Sequence, residues 1–326
     1  MDILNPKNLR QQAQTALRRG REPKKLIYAY AFINLGISAV VYLLNLWMNQ
    51  QIGGTGGLGN LGTRAIFETV KQIIPIASSV ISMILHLGFL GGMMRICRGQ
   101  YADHTDLKAG IRKFWPMFRL SMLEALLYFA VAFLAMQLGS VIFLLTPWAQ
   151  PLIDVLTPLY ASGNLMPDEA MMLAMVEPAI PLMILTAAVI LLAVIPFAFR
   201  LRMAVYCLMD DPKGRAIAAM GGSNRMMRGR FFKMLRIDLC LWLYYAATVV
   251  MMLVLYSDVI LALLGIPAPM NETVFAGILY FASAVMQFGI LVFLRPHTEM
   301  TYLKAYDALK EKKEDSTVVL GNIFDM

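Results

Sequence analysis

The chain has 326 residues, of which 59% are hydrophobic and only 15% are charged, and its mean hydropathy is +0.62. Soluble domains of this size carry about 25% charged residues, so the composition excludes an ordinary water-soluble protein and places the chain in a lipid bilayer. The net charge is +8. Because no nucleic-acid recognition motif accompanies the basic residues, we expect that nucleic acid is not a partner.

Taken in chain order, the sequence predicts an all-α, polytopic membrane protein. Residues 1–25 are basic, and apolar residues recur in them at the spacing of an amphipathic surface helix. The transmembrane domain is predicted over 26–295, and residues 296–326 form a cytoplasmic C-terminal tail. A helix needs ~20 apolar residues to cross ~30 Å of hydrocarbon. Six stretches meet that length, at about 26–48, 73–94, 120–145, 179–199, 237–256 and 274–294.

The basic residues alternate between the segments that connect these six spans. Of the 29 Lys and Arg residues, 27 fall before the first span, between the second and third, between the fourth and fifth, or after the sixth. Only Arg64 and Lys71 lie in the other segments. Cytoplasmic segments retain Lys and Arg, so both termini are predicted to be cytoplasmic.

The largest cytoplasmic loop carries the densest basic cluster. It begins with Asp211 at a predicted helix N-cap followed by Pro212, a strong local start signal for an amphipathic helix. Basic residues beside anionic lipid headgroups contribute ~1 kcal/mol each. We therefore predict that four residues of this loop contact the membrane surface: Arg225, Arg228, Arg230 and Lys233.

Three polar residues inside the predicted spans are candidates for function, because ionisable and strongly polar groups are costly in hydrocarbon. His86 and Gln287 are predicted at similar depth and could line a polar cavity, although hydrogen bonds that join packed helices are the favoured explanation for both. Glu124 is shallower and could pair with a neighbouring arginine. Catalytic, cofactor and metal motifs were not found, and the three cysteines contain no CxxC pair. We therefore expect no enzyme activity, cofactor or metal.

Several motifs resemble those of an uncharacterised bacterial membrane family, domain of unknown function 975. The basic N-terminal segment ends in "ALRRG", and "GFLGGMMRICRGQY" precedes the first cytoplasmic loop. Trp242 follows a longer signature in the large loop. That signature comprises Tyr206, Asp210, Asp211, Pro212, Ala216, Ser223, Met227 and Gly229. The resemblance implies a multi-helix protein of a bacterial plasma membrane and supplies no activity.

Two functions therefore stay open at this point. The first is a non-catalytic membrane component that organises lipids or membrane protein partners through its basic cytoplasmic face, with anionic headgroups as the expected contact. The second is a small permease or exporter whose polar path passes near His86 and Gln287.

Overall fold

The regular structure of the described residues is entirely helical, as the sequence predicts. The structure, a computed structural model, describes residues 4–19, 23–54, 61–162, 169–211, 213–257, 260–261 and 272–324. The helices are α1 Pro6–Arg19, α2 Pro23–Gly54, α3 Leu61–Cys97, α4 Gly110–Leu144, α5 Gln150–Ser162, α6 Glu169–Leu201, α7 Ala204–Asp210, α8 Ala216–Met227, α9 Phe231–Cys240, α10 Trp242–Leu255, α11 Glu272–Gly289 and α12 Arg295–Phe324. Short 3-10 helices, His104–Ala109 and Pro147–Ala149, precede α4 and α5, and a π-helical segment, Ile290–Leu294, joins α11 to α12.

The long helices expose apolar side chains instead of covering them with protein. Within the stretch Val176–Asp210, the most apolar window has a mean hydropathy of 2.8 and none of it is buried. Leu192 and Phe129 expose 76% and 70% of their surface. Contiguous apolar surface of this extent is unfavourable in water and is typical of a lipid-facing protein. Five helices are long and apolar enough to cross a membrane, and a sixth crossing is possible through the bent pair α9 and α10.

The helices extend beyond the predicted spans, and the fifth span is broken. α9 and α10 meet at an angle of 67° around Leu241. The Leu241 backbone N–H donates to both the Ile237 and Asp238 carbonyls, which tightens the helix locally at the bend. The predicted fifth span, 237–256, is thus two short helices within the described residues.

The described residues form two compact units. The first comprises residues 1–116 and 232–326, and the second comprises residues 117–231. In the first unit α1 packs on α12, which covers Leu9 and Ala13. The apolar face of α1 is therefore covered by protein. The predicted tail, 296–326, lies mostly in α12, whose residues Met300, Leu303, Tyr306 and Leu309 are buried.

Small residues let α3 cross the following 3-10 helix at backbone contact in the first unit. A Cβ atom added to Gly88 would fall on the backbone of Leu107, and one added to Gly110 would fall on the Ile84 carbonyl. Asp103 starts the 3-10 helix by accepting a 2.7 Å hydrogen bond from the His104 N–H. That bond stabilises the carboxylate and lowers the pKa of Asp103 below its ordinary value.

The core of the second unit lies where α7 and α8 pack together beside the start of α4. The buried residues of this cluster are Leu120, Ala204, Leu208, Ala216 and Ala219. Further along α4, Gly139 approaches α6 closely, since an added Cβ would lie 3.1 Å from the Thr186 Cα. In the second unit α7 and α8 therefore form one packed element.

Candidate functional site

The turn between α7 and α8 corrects one prediction. Asp211 does not N-cap the following helix: it follows the last residue of α7, and α8 begins at Ala216, after Arg215. The Asp211 carboxylate accepts hydrogen bonds from the backbone N–H groups of Lys213 (2.9 Å) and Arg215 (3.1 Å). An Asp side chain that binds N–H groups two and four residues on closes a turn, which here delays the helix start. Pro212 lies outside the described residues.

Ser223 ties α8 to the end of α6. Its side chain is fully buried, its hydroxyl donates to the Arg200 carbonyl at 2.7 Å, and it accepts from the Met203 N–H at 3.1 Å. The carbonyl at the end of a helix and the first free N–H after it lack helical partners. One serine hydroxyl satisfies both groups, so the register of α8 against α6 is fixed by a single polar contact.

The basic residues that follow Ser223 point away from this core. Arg225 and Arg228 are exposed, and Arg230 is partly exposed. Within the described part of the chain, none of these three arginines forms a hydrogen bond or ion pair with protein. Gly229 has a φ of 70°, which non-glycine residues rarely adopt, and the Arg230 N–H donates to the Met227 carbonyl to close the turn. Lys233 is exposed on α9 in the other unit.

A second group of polar residues surrounds the first residue of α12. The Arg295 guanidinium donates a 2.9 Å hydrogen bond to His86 Nδ1, so that ring nitrogen carries no proton. Arg295 also lies 5.4 Å from the centroid of the Tyr30 ring and 3.8 Å from the Glu299 carboxylate. Tyr30 in turn stacks on Phe89 at 4.4 Å. The sequence predicted His86 as a polar residue but not its arginine partner.

The other two intramembrane candidates do not join this group. Gln287 is partly buried on α11, and it has no hydrogen bond to any other residue that the structure describes. Glu124 is partly buried on α4, in the second unit, and likewise has no ion-pair partner among the described residues. Within the part of the chain that the structure describes, no side-chain hydrogen bond of Gln287 therefore links it to His86.

A third polar contact was missed from the sequence. Tyr302, buried on α12, donates a 2.6 Å hydrogen bond to the Asp238 carboxylate, and its hydroxyl lies 2.6 Å from that of Tyr245. Asp238 on α9 and Tyr245 on α10 lie 64 and 57 positions before Tyr302 on α12. No local spacing links them, so only the tertiary packing brings them together.

The described residues contain no group of three His, Cys, Asp or Glu side chains that could hold a metal ion. In the comparisons, a family model described as protein of unknown function (DUF975) matches residues 1–313. Neither the curated proteins nor the solved structures provided a match.

Proposed function

We propose that this chain, which belongs to the DUF975 family of unknown function, is a non-catalytic membrane component that binds anionic lipid headgroups and organises lipids or partner proteins through a basic cytoplasmic face. The location that goes with this proposal is a bacterial plasma membrane with both termini inside. The family has no assigned activity, and the long apolar helices of this chain are compatible with a membrane protein.

One observation carries the proposal. Ser223 ties α8 to the end of α6, yet the arginines of α8 and of the turn after it have no acidic partner within the described residues. A protein that needed these charges for its own stability would pair them with carboxylates, as Arg95 is paired with Asp106 at 2.7 Å elsewhere in the chain. Unpaired, exposed guanidinium groups on a fixed support are suited to phosphate oxygens, which they bind through two parallel N–H donors.

The signature residues of the large loop fit this role as structural supports. Ala216, Ser223 and Met227 are buried, and Gly229 supplies the left-handed turn. These residues therefore stabilise α8 and the turn that follows it, and the arginines between and after them remain available to an external anion.

The test is the lipid preference of the full-length protein in nanodiscs. We expect spin-labelled phosphatidylglycerol to be immobilised by the protein in preference to phosphatidylcholine. Changing Arg225, Arg228 and Arg230 together to Gln should lower that preference by up to roughly 100-fold, since each charge contributes ~1 kcal/mol. The matched triple Lys variant keeps the charge and should keep most of the preference. If the Gln variant binds both lipids as the native chain does, and retains the same co-purifying proteins, the proposal fails.

A second candidate function, a small permease or exporter, is favoured by the contact between Arg295 and His86. A partly buried cation against a neutral imidazole marks a place where a proton or anion could be held within the bundle. The probe is proton flux into proteoliposomes that contain a pH-sensitive dye. Flux above that of empty liposomes, lost in His86→Ala and Gln287→Ala variants that still insert, would support this candidate. Flux equal to that of empty liposomes would eliminate proton-coupled transport.

A further inference from the structure

The first unit contains a groove that the proposed function does not use. Its volume is about 810 Å³, and it lies between the end of α1, the start of α2 and the junction of the π-helical segment with α12. This volume is within the range of ~300 to 1,000 Å³ that is usual for small-molecule sites. The lining combines cationic residues with apolar ones, which is the composition expected of a site that binds an anionic amphiphile.

The cationic part of the groove comes from the end of α1 and the start of α2. Arg18, Lys24 and Lys25 line it. Arg18 and Lys24 are exposed, and the described residues supply neither of them with a hydrogen bond or ion pair. All the charged residues that line the groove are positive. An occupant therefore has to be anionic to be complementary to this rim.

The apolar part of the groove is formed by Leu17, Ile27, Val292 and Pro296. Val292 belongs to the π-helical segment, in which the Arg295 N–H donates to the Ile290 carbonyl five residues earlier. Segments of π-helix insert an extra residue into a turn and are frequent at functional sites. Here the segment contributes a wall of the groove and is followed directly by Arg295, the residue that contacts His86.

The predicted spans place the groove at the level of a bilayer interface. Pro23 is the first residue of one candidate spanning helix, and Val292 lies near the end of the sixth span predicted from the sequence, 274–294. Lipid phosphates occupy this level, and acyl chains begin directly below it.

We propose that this groove binds a single anionic phospholipid, with its phosphate at Arg18 and Lys24 and the first part of an acyl chain along Leu17, Ile27 and Val292. A free phosphate ester would use the cations but leave the apolar wall unfilled. The groove shares no residue with the arginines of α8 and the turn after it. Either lipid site can therefore be disproved without disproving the other.

The experiment is native mass spectrometry of the full-length protein in mild detergent, with phosphatidylglycerol and phosphatidylcholine added in equal amounts. The native chain should retain one phosphatidylglycerol in clear preference. Changing Arg18 and Lys24 to Gln should reduce that retention by roughly 30-fold. The control with Arg225 and Arg228 changed to Gln carries the same charge change elsewhere and should keep the bound lipid.

A second variant tests the apolar wall. Val292→Trp leaves the charges intact and should reduce retention by filling the groove, provided that it elutes as a single species. If it does not elute as a single species, the variant with Arg18 and Lys24 changed to Gln is the test, because both side chains are exposed and their replacement should leave the fold intact. Three results would each overturn the proposal. The native chain could retain the two lipids equally, or the Arg18 and Lys24 variant could retain phosphatidylglycerol as the native chain does. In the third, glycerol phosphate would displace the bound phosphatidylglycerol at the same concentration as free phosphatidylglycerol does.

Discussion

The Tyr302 hydroxyl donates a 2.6 Å hydrogen bond to the Asp238 carboxylate, and this contact connects α12 to the helix that precedes the 67° bend. Tyr245, on the other side of the bend, lies 2.6 Å from the same hydroxyl. One buried phenol therefore contacts both arms of the broken helix. A helix lacks some of its regular backbone hydrogen bonds at a sharp bend. The angle between the two arms therefore depends on side-chain contacts, and Tyr302 contacts both arms.

Removing the Tyr302 hydroxyl should destabilise this junction. Tyr302→Phe takes a donor away from a charged acceptor, and hydrogen bonds to charged groups contribute about 1.5–3 kcal/mol. Tyr245→Phe leaves the bond between Tyr302 and Asp238 intact and should cost about 1 kcal/mol or less. Denaturant titration of the two purified variants in one detergent gives the free energies of unfolding. Equal values for both variants would contradict the central role of Tyr302.

A methyl group at Gly88 should disrupt the crossing of α3 with the 3-10 helix. The added Cβ would fall on the Leu107 backbone, which cannot move as a flexible side chain can. Overpacking of this kind costs about 1–3 kcal/mol. Gly36→Ala is the matched control, because no atom lies within 4 Å of its added Cβ, and in a helix it should be neutral or stabilise by about 0.5–1 kcal/mol. The midpoint of thermal unfolding should fall in the Gly88→Ala variant and stay the same or rise in the Gly36→Ala variant, and an equal fall in both would contradict the close crossing.

Ser223→Ala should loosen α8 from α6. It leaves the Arg200 carbonyl and the Met203 N–H without the bonds that the hydroxyl provides, and an unsatisfied buried polar group costs about 1–3 kcal/mol. Ser140→Ala is the control: its hydroxyl donates only to the Met136 carbonyl of its own helix, so the cost should be a few tenths of a kcal/mol. Faster amide hydrogen exchange in α7 and α8 of the Ser223 variant alone would support this account. Unchanged exchange would contradict it.

The sequence predicted the helices well because a spanning helix is recognised from hydropathy summed over consecutive residues. Apolar runs of ~20 residues can be read from short stretches of sequence, whichever helices contact each other. The alternation of Lys and Arg along the chain is likewise independent of helix contacts, and the orientation that it indicates stays a prediction. The all-α fold with five to six candidate spans is accordingly confirmed. The α12 helix was predicted as a tail because its lysines and glutamates lower the average hydropathy. Its buried residues nevertheless recur at helical spacing, at Met300, Leu303, Tyr306 and Leu309.

The sites were harder to predict because they depend on long-range packing. His86 was recognised as an unusual residue, but its partner Arg295 is 209 positions away and had the appearance of a membrane-boundary charge. Asp211 was recognised as a capping residue, but its carboxylate could serve a turn or a helix, and only the backbone path decides between them. The membrane contacts of Arg225, Arg228, Arg230 and Lys233 stay predictions.

The broken fifth span makes the position of the C-terminus a decisive test of topology. If the pair α9 and α10 crosses the membrane once, six crossings place Asn224 and Glu311 on the same, cytoplasmic side. If the pair instead enters and leaves on one side, there are five crossings and Glu311 lies outside. Single cysteines at Leu145, Asn224 and Glu311, all exposed, can be introduced into a chain whose Cys97, Cys207 and Cys240 are changed to Ala.

A membrane-impermeant maleimide added to intact cells should then label only the cysteine at Leu145, with all three reacting after permeabilisation. The charge distribution requires this result, because the segment after Leu145 up to residue 178 carries no Lys or Arg, whereas the segment around Asn224 is strongly basic. Labelling of Glu311→Cys from outside, with Asn224→Cys protected, would establish five crossings. Labelling of Leu145→Cys and Asn224→Cys from the same side would remove the basis for a cytoplasmic basic face, and with it the proposed function.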